Sequence, residues 1–232
     1  MSTSLGRVDW RLYLVTDPHL GGGREKVPDI VFRAVLGGVG VVQVRDKESD
    51  DDEFTDRAAA IADAARRAGA EVGREVPVFV NDRLDVAREL GLHLHIGQRD
   101  MPFARARAAL PGELMLGLSI ESDAQLEAAL AGSDTANPAP APSVIGVSPV
   151  WSTATKTDTA AALGPEGADR LARAAHLRGV PAVGIGGVTA GTVGALARTA
   201  LDGVCVVSAI MTAPDPRSAA ADLLARWDAE HR

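Results

Sequence analysis

Polar side chains alternate with apolar ones in the segment 42–47, which reads Val-Gln-Val-Arg-Asp-Lys. Gln43, Arg45 and Lys47 are two residues apart, so an extended strand would project all three to one face. A buried cation needs a partner, and an anionic ligand such as a phosphate would satisfy the three side chains together. A solvated edge, with the same side chains pointing into water, is the alternative. Of the two, we favour the anionic ligand.

Lysine is rare in this chain, which has Lys26, Lys47 and Lys156 among its 24 cationic residues. Lys47 and Lys156 each follow a predicted strand. A compact ammonium at such a position can act as a mobile point charge for phosphate oxygens. A solvated surface position is the alternative for either lysine.

Two aspartates also follow predicted strands: Asp82, in Val-Asn-Asp-Arg, and Asp100, in Gly-Gln-Arg-Asp-Met-Pro. Each could cap the N-terminus of the next helix. Together they could instead hold Mg²⁺, a hard ion that binds few protein oxygens and completes its shell with water and substrate phosphates. The spacing leaves both interpretations open.

Other residues that could bind a metal have simpler explanations. The acidic run 46–53 is typical of a first helical turn, in which the helix dipole stabilises carboxylates and Ser49 or Asp50 can cap the helix. His93 and His95 alternate on a predicted strand, where a core or cavity-lining histidine is commoner than a metal pair.

A further anion site is indicated near the end of the chain. Gly186 and Gly187 follow one predicted strand, and Val207-Ser208 leads from the last strand into a short helix. Backbone amides exposed by such glycines, together with a helix N-terminus, form a phosphate site in many α/β barrels.

The elements that must position these residues alternate regularly along the chain. Short β-branched runs predict eight strands, at Arg11–Thr16, Val39–Val44, Val78–Asn81, Leu92–Ile96, Leu114–Leu118, Ser143–Val147, Pro181–Ile185 and Gly203–Val207. Amphipathic stretches predict helices at Pro28–Leu36, Glu53–Ala68, Leu84–Leu90, Phe103–Leu110, Ala124–Leu130, Glu166–Arg178, Ala190–Arg198 and Pro216–Asp228. Eight strand–helix units favour a single closed (β/α)₈ TIM barrel over an open doubly wound sheet. Such a barrel would collect the polar strand ends at one rim.

Length and composition fit this α/β architecture. A chain of 232 residues, 46% of them hydrophobic, is long enough for one barrel domain. The net charge of −7 argues against a general nucleic-acid or anionic-membrane binder. Cys205, the single cysteine, lies in an apolar run and is expected in the core. With no disulfide and no apolar run of membrane-spanning length, we expect a cytoplasmic protein.

Two segments are expected to lie outside the barrel. We expect residues 1–9 to form a flexible N-terminal tail. The Pro/Ala-rich segment 132–142 has no regular pattern, because its prolines oppose helix and strand, and we expect it to form a surface loop at the bottom of the barrel.

Taken in order, these motifs resemble those of the thiamine phosphate synthase family. The resemblance extends from the first strand to the start of the last helix. It is carried by Leu-Tyr-Leu-Val-Thr-Asp at 12–17, Val-Gln-Val-Arg-Asp-Lys at 42–47, Asn-Asp at 81–82, His-Ile-Gly-Gln-Arg-Asp-Met-Pro at 95–102, Gly-Leu-Ser at 117–119, Ser-Pro-Val-Trp-Ser-Thr-Ala-Thr-Lys at 148–156 and Gly-Ile-Gly-Gly at 184–187.

The resemblance implies a Mg²⁺-dependent transferase with the TIM-barrel fold. Its reaction joins 4-amino-5-hydroxymethyl-2-methylpyrimidine diphosphate to hydroxyethylthiazole phosphate, giving thiamine phosphate and pyrophosphate. Departure of the diphosphate leaves a resonance-stabilised pyrimidine cation, so orientation and charge neutralisation can replace a covalent nucleophile. A homo-oligomer is also implied.

Residue roles follow from the resemblance by motif position. Gln43, Arg45 and Lys47 would hold the pyrimidine diphosphate, with Asn81 beside them. Asp82 and Asp100 would ligate Mg²⁺. Ser119 would face the pyrimidine, and Lys156 would contact the leaving diphosphate. The thiazole phosphate would be held by Thr153, Thr155, Gly186, Gly187, Val207 and Ser208. Lys156, Ser119 and Arg45 would be the catalytic residues.

The sequence departs from the family pattern at four places. The usual Ala-Asp-Gly before the fourth strand reads Gly91-Leu92-His93, the Glu of Gly-Gln-Glu-Asp is Arg99, the usual Gly-Pro is Ser148-Pro149, and the usual Asp-Tyr is Ser143-Val144. None of these changes removes a charged ligand. A thiazole tautomerase-like barrel and a non-catalytic protein that binds a thiamine precursor are the alternatives.

Overall fold

A computed structural model describes residues 8–131, 140–152 and 161–231. Within these residues eight parallel strands pair in chain order, and the first also pairs with the last, which closes the barrel. The strands are β1 Leu12–Val15, β2 Val41–Val44, β3 Val78–Asn81, β4 His93–Ile96, β5 Leu116–Ile120, β6 Val144–Val147, β7 Ala182–Ile185 and β8 Gly203–Val206. The predicted TIM barrel is confirmed.

Helices follow the strands around the outside of this barrel. They are α1 Val27–Leu36, α2 Asp51–Glu71, α3 Leu84–Leu90, α4 Phe103–Ala109, α5 Asp123–Leu130, α6 Gly164–His176, α7 Val193–Ala197, α8 Ser208–Met211 and α9 Pro216–Glu230, with a 3₁₀ turn at Arg24–Lys26 before α1. None of the helices that the structure describes is long and apolar enough to cross a membrane.

The predicted fifth strand starts two residues too early. The chain turns at Leu114, whose amide donates to the carbonyl of Pro111. The next amide, that of Met115, donates to the imidazole Nδ1 of His93 at 3.1 Å. The turn and this side-chain bond therefore delay the start of β5 to Leu116.

Strand alternation divides the barrel into an interior and an outer layer. One face of the strands buries Tyr13 and Phe79 inside the barrel, with ring centroids 5.8 Å apart, and Trp10 lies 6.2 Å from each of them. The other face packs against the helices in a larger apolar cluster. The aromatic group fills the barrel floor together with the His93 ring, and the polar side chains that line the cavity lie above them at the carboxyl-terminal mouth.

The two segments expected outside the barrel are only partly described. Of the predicted tail, residues 8 and 9 are described, and Asp9 accepts hydrogen bonds from Arg11, one of them 2.8 Å long. Asp9 also lies 3.5 Å from Arg74. Of the insertion 132–142, residues 140–142 are described, and Pro142 is buried where the chain enters β6.

A buried ion pair fixes the β2–α2 loop that carries Arg45 and Lys47. Asp46 accepts the Ser49 hydroxyl at 2.6 Å and pairs with Arg57 of α2. Burial alone would raise the Asp46 pKa, but these hydrogen bonds and the Arg57 charge outweigh it and lower the pKa to about 2. Asp50 caps α2 by accepting the Glu53 amide, as predicted.

Replacing Asp46 by alanine should lower the free energy of unfolding by about 3 kcal/mol, because Arg57 would keep a largely buried charge without its partner. Asp63→Ala is the matched control. Its carboxylate pairs with Arg66 and Arg67 on the exposed side of the same helix, so the loss should be far smaller. Urea unfolding at pH 7 compares the variants, and equal losses would contradict this role for Asp46.

Candidate functional site

A cavity of about 190 Å³ opens at the carboxyl ends of the strands. It brings together the sequence-predicted residues Gln43, Arg45, Lys47, Asn81, Asp82, Asp100, Ser119, Gly186, Gly187, Val207 and Ser208. Thr153, Thr155 and Lys156 lie outside the described residues. The predicted clustering at one rim is therefore seen for every predicted site residue that the structure describes.

Gln43 is held from below by a tyrosine of the barrel floor. Its side chain is buried, and its amide nitrogen donates to the Tyr13 hydroxyl at 3.1 Å. Tyr13 is fully buried, and desolvation raises its pKa, so the hydroxyl stays neutral and accepts this bond. This bond uses one of the two N–H donors of the amide, so Gln43 can offer a ligand its amide oxygen and the second N–H.

The two cations of this rim lie beyond the end of β2. The Arg45 amide donates to the Thr16 hydroxyl at 3.1 Å, which ties the end of β2 to the end of β1. Lys47 is half exposed, and its ammonium lies 3.3 Å from a carboxylate oxygen of Asp82. Among the described residues that line the cavity, these are the two cations, and both stand on the β2 side.

Asp82 and Asp100 form a close carboxyl pair at the ends of β3 and β4. Burial, together with the hydrogen bond and the negative charge of Asp100, raises the Asp82 pKa to about 6, while Lys47 partly offsets this rise. Asp100 also accepts the Gly97 amide at 2.7 Å. Two carboxyl groups this close offer the hard oxygen ligands that suit a divalent cation such as Mg²⁺.

Neither aspartate caps a helix, so that alternative was wrong. Asp82 has a φ of 65°, in the left-handed region, and its amide donates to the His95 carbonyl at 2.9 Å. The residue that precedes α3 is Arg83, and the one that precedes α4 is Pro102, neither with a side-chain cap. The turn at Asp82 directs its carboxyl to the cavity instead.

His95 belongs to the cavity, and sequence reasoning left its role undecided. Its Nε2 lies 3.0 Å from the Ser119 hydroxyl. The ring needs the space beside Gly117, because a Cβ there would lie 2.4 Å from its Nδ1. His95 thus fixes the position of the Ser119 hydroxyl at the end of β5.

His93 is a half-buried histidine of the barrel floor, and its described contacts do not indicate a metal pair with His95. Its ring packs 5.0 Å from that of Phe79, and burial lowers its pKa to about 4. The described parts of the chain contain no cluster of three or more His, Cys, Asp or Glu that could hold a metal. A cation at this rim would therefore be coordinated by two carboxylates and would complete its shell with water and substrate phosphates.

The opposite rim, at β7 and β8, offers backbone amides. Gly186 and Gly187 have φ values of 106° and 69°, and a Cβ at Gly187 would lie 2.8 Å from the Trp151 Cβ. Val207 leads into the short helix α8, whose first amides have no helical acceptor. Amides turned toward a shared space bind oxyanions without a charged side chain.

Sequence reasoning missed several cavity residues, among them Thr16, Ser148 and Ile185. Each stands at the end of a strand whose alternating residues face the barrel interior. Because every second residue of β6 faces the interior, the series Val144, Gly146, Ser148 would have placed Ser148 at the cavity.

Both the sequence and the fold of the chain are similar to those of known proteins. Residues 12–210 match the family described as thiamine monophosphate synthase. The chain is 49% identical over 224 residues to the thiamine biosynthesis multifunctional protein ThiED of Corynebacterium efficiens. The aligned region is 97% of this chain but only 29% of that longer protein. It is 41% identical to thiamine-phosphate synthase of Albidiferax ferrireducens, covering 94% of this chain and 92% of the relative.

The structure is likewise similar to thiamine phosphate pyrophosphorylase of Pyrococcus furiosus, with a TM-score of 0.77 and 27% sequence identity. That match covers 96% of this chain and 98% of the other. The sequence and fold comparisons therefore agree with each other over nearly the whole barrel.

The raised pKa of Asp82 predicts a destabilised metal-free protein. The folded pKa of about 6 exceeds the ordinary value of 3.8, so stability falls as the pH rises between these values. Asp82→Asn should therefore be more stable than the native protein at pH 7.5 in EDTA, by on the order of 2 kcal/mol. Asparagine tolerates the left-handed φ.

Urea unfolding at pH 7.5 and at pH 4 measures this difference, which should shrink at the lower pH. Asp85→Asn is the control, because the Asp85 side chain is 95% exposed on the adjacent helix α3. A gain for Asp82→Asn that does not change with pH, or no gain at all, would contradict the account of the carboxyl pair.

Proposed function

Because the chain belongs to the thiamine monophosphate synthase family, we propose that it couples 4-amino-5-hydroxymethyl-2-methylpyrimidine diphosphate to hydroxyethylthiazole phosphate, with release of pyrophosphate. One observation carries this proposal: a single cavity is lined by two unlike groups that could each bind an anion. The β2 side has Arg45, Lys47 and a carboxyl pair, whereas the β7–β8 side has backbone amides. Two substrates with different phosphate groups fit this division.

The diphosphate belongs on the β2 side. Arg45 and Lys47 can neutralise its oxygens, and Gln43 and Asn81 lie beside them. Ser119, held by His95, would face the pyrimidine ring. The thiazole phosphate, with less charge, would take the amides at Gly186, Gly187, Val207 and Ser208.

Mg²⁺ fits the carboxyl pair on chemical grounds. Asp82 and Asp100 repel each other when both are ionised, and the Lys47 ammonium offsets only part of that repulsion. Mg²⁺, when bound, would neutralise carboxylate and diphosphate oxygens together. A family member with only a thiazole phosphate site would have no use for this arrangement.

The protein's own residues would act mainly by orientation and charge. Arg45 and Lys47 would stabilise the negative charge that grows on the departing diphosphate. They accelerate the reaction only to the extent that this interaction is stronger in the transition state than in the bound substrate. Ser119 and Gln43 would hold the pyrimidine so that the cation forms facing the thiazole nitrogen. Lys156, outside the described residues, stays a prediction for the leaving group.

Two alternatives make different predictions from the synthase. A thiazole tautomerase-like barrel would turn over a thiazole phosphate with no need of the pyrimidine diphosphate. A non-catalytic precursor-binding protein would bind both ligands and release no pyrophosphate. The Arg45, Lys47 and Asp82 side of the cavity favours the synthase over the tautomerase.

Incubation of the protein with both phosphorylated substrates and Mg²⁺ tests the proposed activity. Thiamine phosphate and pyrophosphate should appear in equal amounts, because each coupling of the two substrates releases one pyrophosphate. The Arg45→Ala, Lys47→Ala double variant is the control for contaminating activity. Absence of thiamine phosphate, or pyrophosphate formed without it, would contradict the proposal.

Binding of pyrophosphate should depend on Mg²⁺ through the carboxyl pair. Calorimetric titration should show tighter pyrophosphate binding with Mg²⁺ than with EDTA, by at least about tenfold. Asp82→Asn and Asp100→Asn should each lose most of this difference, since each removes one hard anionic ligand. Asp85→Asn should keep it, and a native-like Mg²⁺ effect in both site variants would contradict the assignment.

Separate rims predict separate kinetic effects. Arg45→Ala should raise the KM for the pyrimidine diphosphate by roughly 10–100-fold, because a charge-assisted contact to phosphate is lost. The KM for the thiazole phosphate should change by less than about threefold, since its site uses backbone amides. Arg88→Ala, at an exposed position of α3, is the control. Equal effects on both substrates would mean that the rims are wrongly divided.

A further inference from the structure

Ser148 has a buried hydroxyl that no group in the described chain satisfies. The residue is 6% exposed, and its Oγ has no hydrogen-bond partner among the described residues. Buried hydroxyl groups are normally paired, because desolvation without a hydrogen bond is unfavourable. The hydroxyl therefore needs an explanation beyond the contacts of the described residues.

The position of Ser148 in the barrel indicates that its side chain faces the interior. Val144 faces the barrel interior, and a Cβ at Gly146 would lie 3.5 Å from the His95 ring, so alternate residues of β6 point inward. Ser148 is the next in that series, and its amide continues the ladder by donating to the Ile120 carbonyl at 2.9 Å. Ser148 accordingly lines the cavity.

The neighbouring strand places Ser148 beside the residues assigned to the pyrimidine. Gly146 is the register partner of Ser119, whose hydroxyl His95 holds. Ser148 is thus one inward position nearer the mouth than the Ser119 level. On its other side, β7 contributes Ile185, an apolar neighbour with no hydrogen bond to offer from its side chain.

We propose that Ser148 is a specificity-determining residue that hydrogen-bonds the aminopyrimidine ring of the diphosphate substrate. This inference rests on the proposed function and adds a ligand contact to it. A hydroxyl can donate to a ring nitrogen or accept from the exocyclic amino group, and it reaches either by rotation about χ1. Because none of the described residues holds the hydroxyl, that rotation breaks no hydrogen bond to them.

The chemistry of the two rings favours the pyrimidine over the thiazole ring as the partner. The thiazole nitrogen must keep its lone pair to attack the pyrimidine methylene carbon, so a donor hydroxyl there would oppose the reaction. The thiazole sulfur is a weak acceptor. The pyrimidine keeps its ring nitrogens and amino group unchanged throughout, so a hydrogen bond to them persists from binding to product.

Ser148→Ala removes the hydroxyl and little else. The KM for the pyrimidine diphosphate should rise by about 5–15-fold, the loss expected for one neutral hydrogen bond. The inhibition constant of inorganic pyrophosphate, which has no ring, should stay within twofold, as should the KM for the thiazole phosphate. The Tm should stay the same or rise, because the hydroxyl makes no described protein hydrogen bond.

Ser143→Ala is the matched control at the opposite end of the same strand. The Ser143 hydroxyl accepts the Leu116 amide at 3.1 Å, so its loss should lower the Tm and leave every KM within twofold. Ser148→Cys, which keeps the size and a weak donor, should recover part of the pyrimidine KM.

Three results would overturn the inference while leaving the proposed function intact: an unchanged pyrimidine KM in Ser148→Ala, an equal rise in the pyrophosphate inhibition constant, or a loss of Tm like that of Ser143→Ala. Failure of the native protein to make thiamine phosphate would instead overturn the proposed function. The two outcomes are therefore distinguishable in one set of assays.

Discussion

The mouth of this barrel is organised around two carboxyl groups held together against their own repulsion. Asp82 and Asp100 follow adjacent strands, and closeness to Asp100 combines with burial to raise the Asp82 pKa to about 6. The arrangement persists because the backbone imposes it: Asp82 adopts a left-handed φ of 65°, and Asp100 accepts the Gly97 amide. Such local strain is commonly found where a protein is shaped for a ligand. A bound cation would remove the repulsion, and Lys47 already offsets part of it.

The rest of the cavity follows from the two-residue period of the strands. Inward positions near the amino ends are filled by Tyr13 and Phe79, and the inward positions above them include polar residues such as Gln43, Asn81 and Ser119. The floor also orients the mouth, because the Tyr13 hydroxyl holds the Gln43 amide. Charge is concentrated on one side and backbone amides on the other, and under the proposed function this division would give each substrate its own rim.

Much of this arrangement could be predicted from the sequence. The alternation of apolar strands and amphipathic helices determines the barrel, and a closed parallel barrel must collect its strand ends at one rim. Residues such as Gln43 and Arg45 could therefore be assigned to the site by spacing. The Asp50 cap of α2 also follows from local sequence, and the structure shows its hydrogen bond to Glu53.

Interactions between distant segments could not be predicted in the same way. Whether Asp82 caps a helix or faces the cavity depends on one backbone angle that the sequence does not reveal. The position of His95 depends on the absence of a side chain at Gly117, on the next strand. The start of β5 depends on a bond from Met115 to His93, and the Ser148 hydroxyl is notable only once its surroundings are known.

Anomalous diffraction from crystals grown with Mn²⁺ and pyrophosphate tests the central claim most directly, because Mn²⁺ prefers the same hard oxygen ligands as Mg²⁺. The account predicts one strong anomalous peak between the carboxylates of Asp82 and Asp100, with the pyrophosphate beside it against Arg45 and Lys47. A peak elsewhere in the cavity, or pyrophosphate bound at the Gly186–Gly187 rim with no cation between the two aspartates, would contradict it.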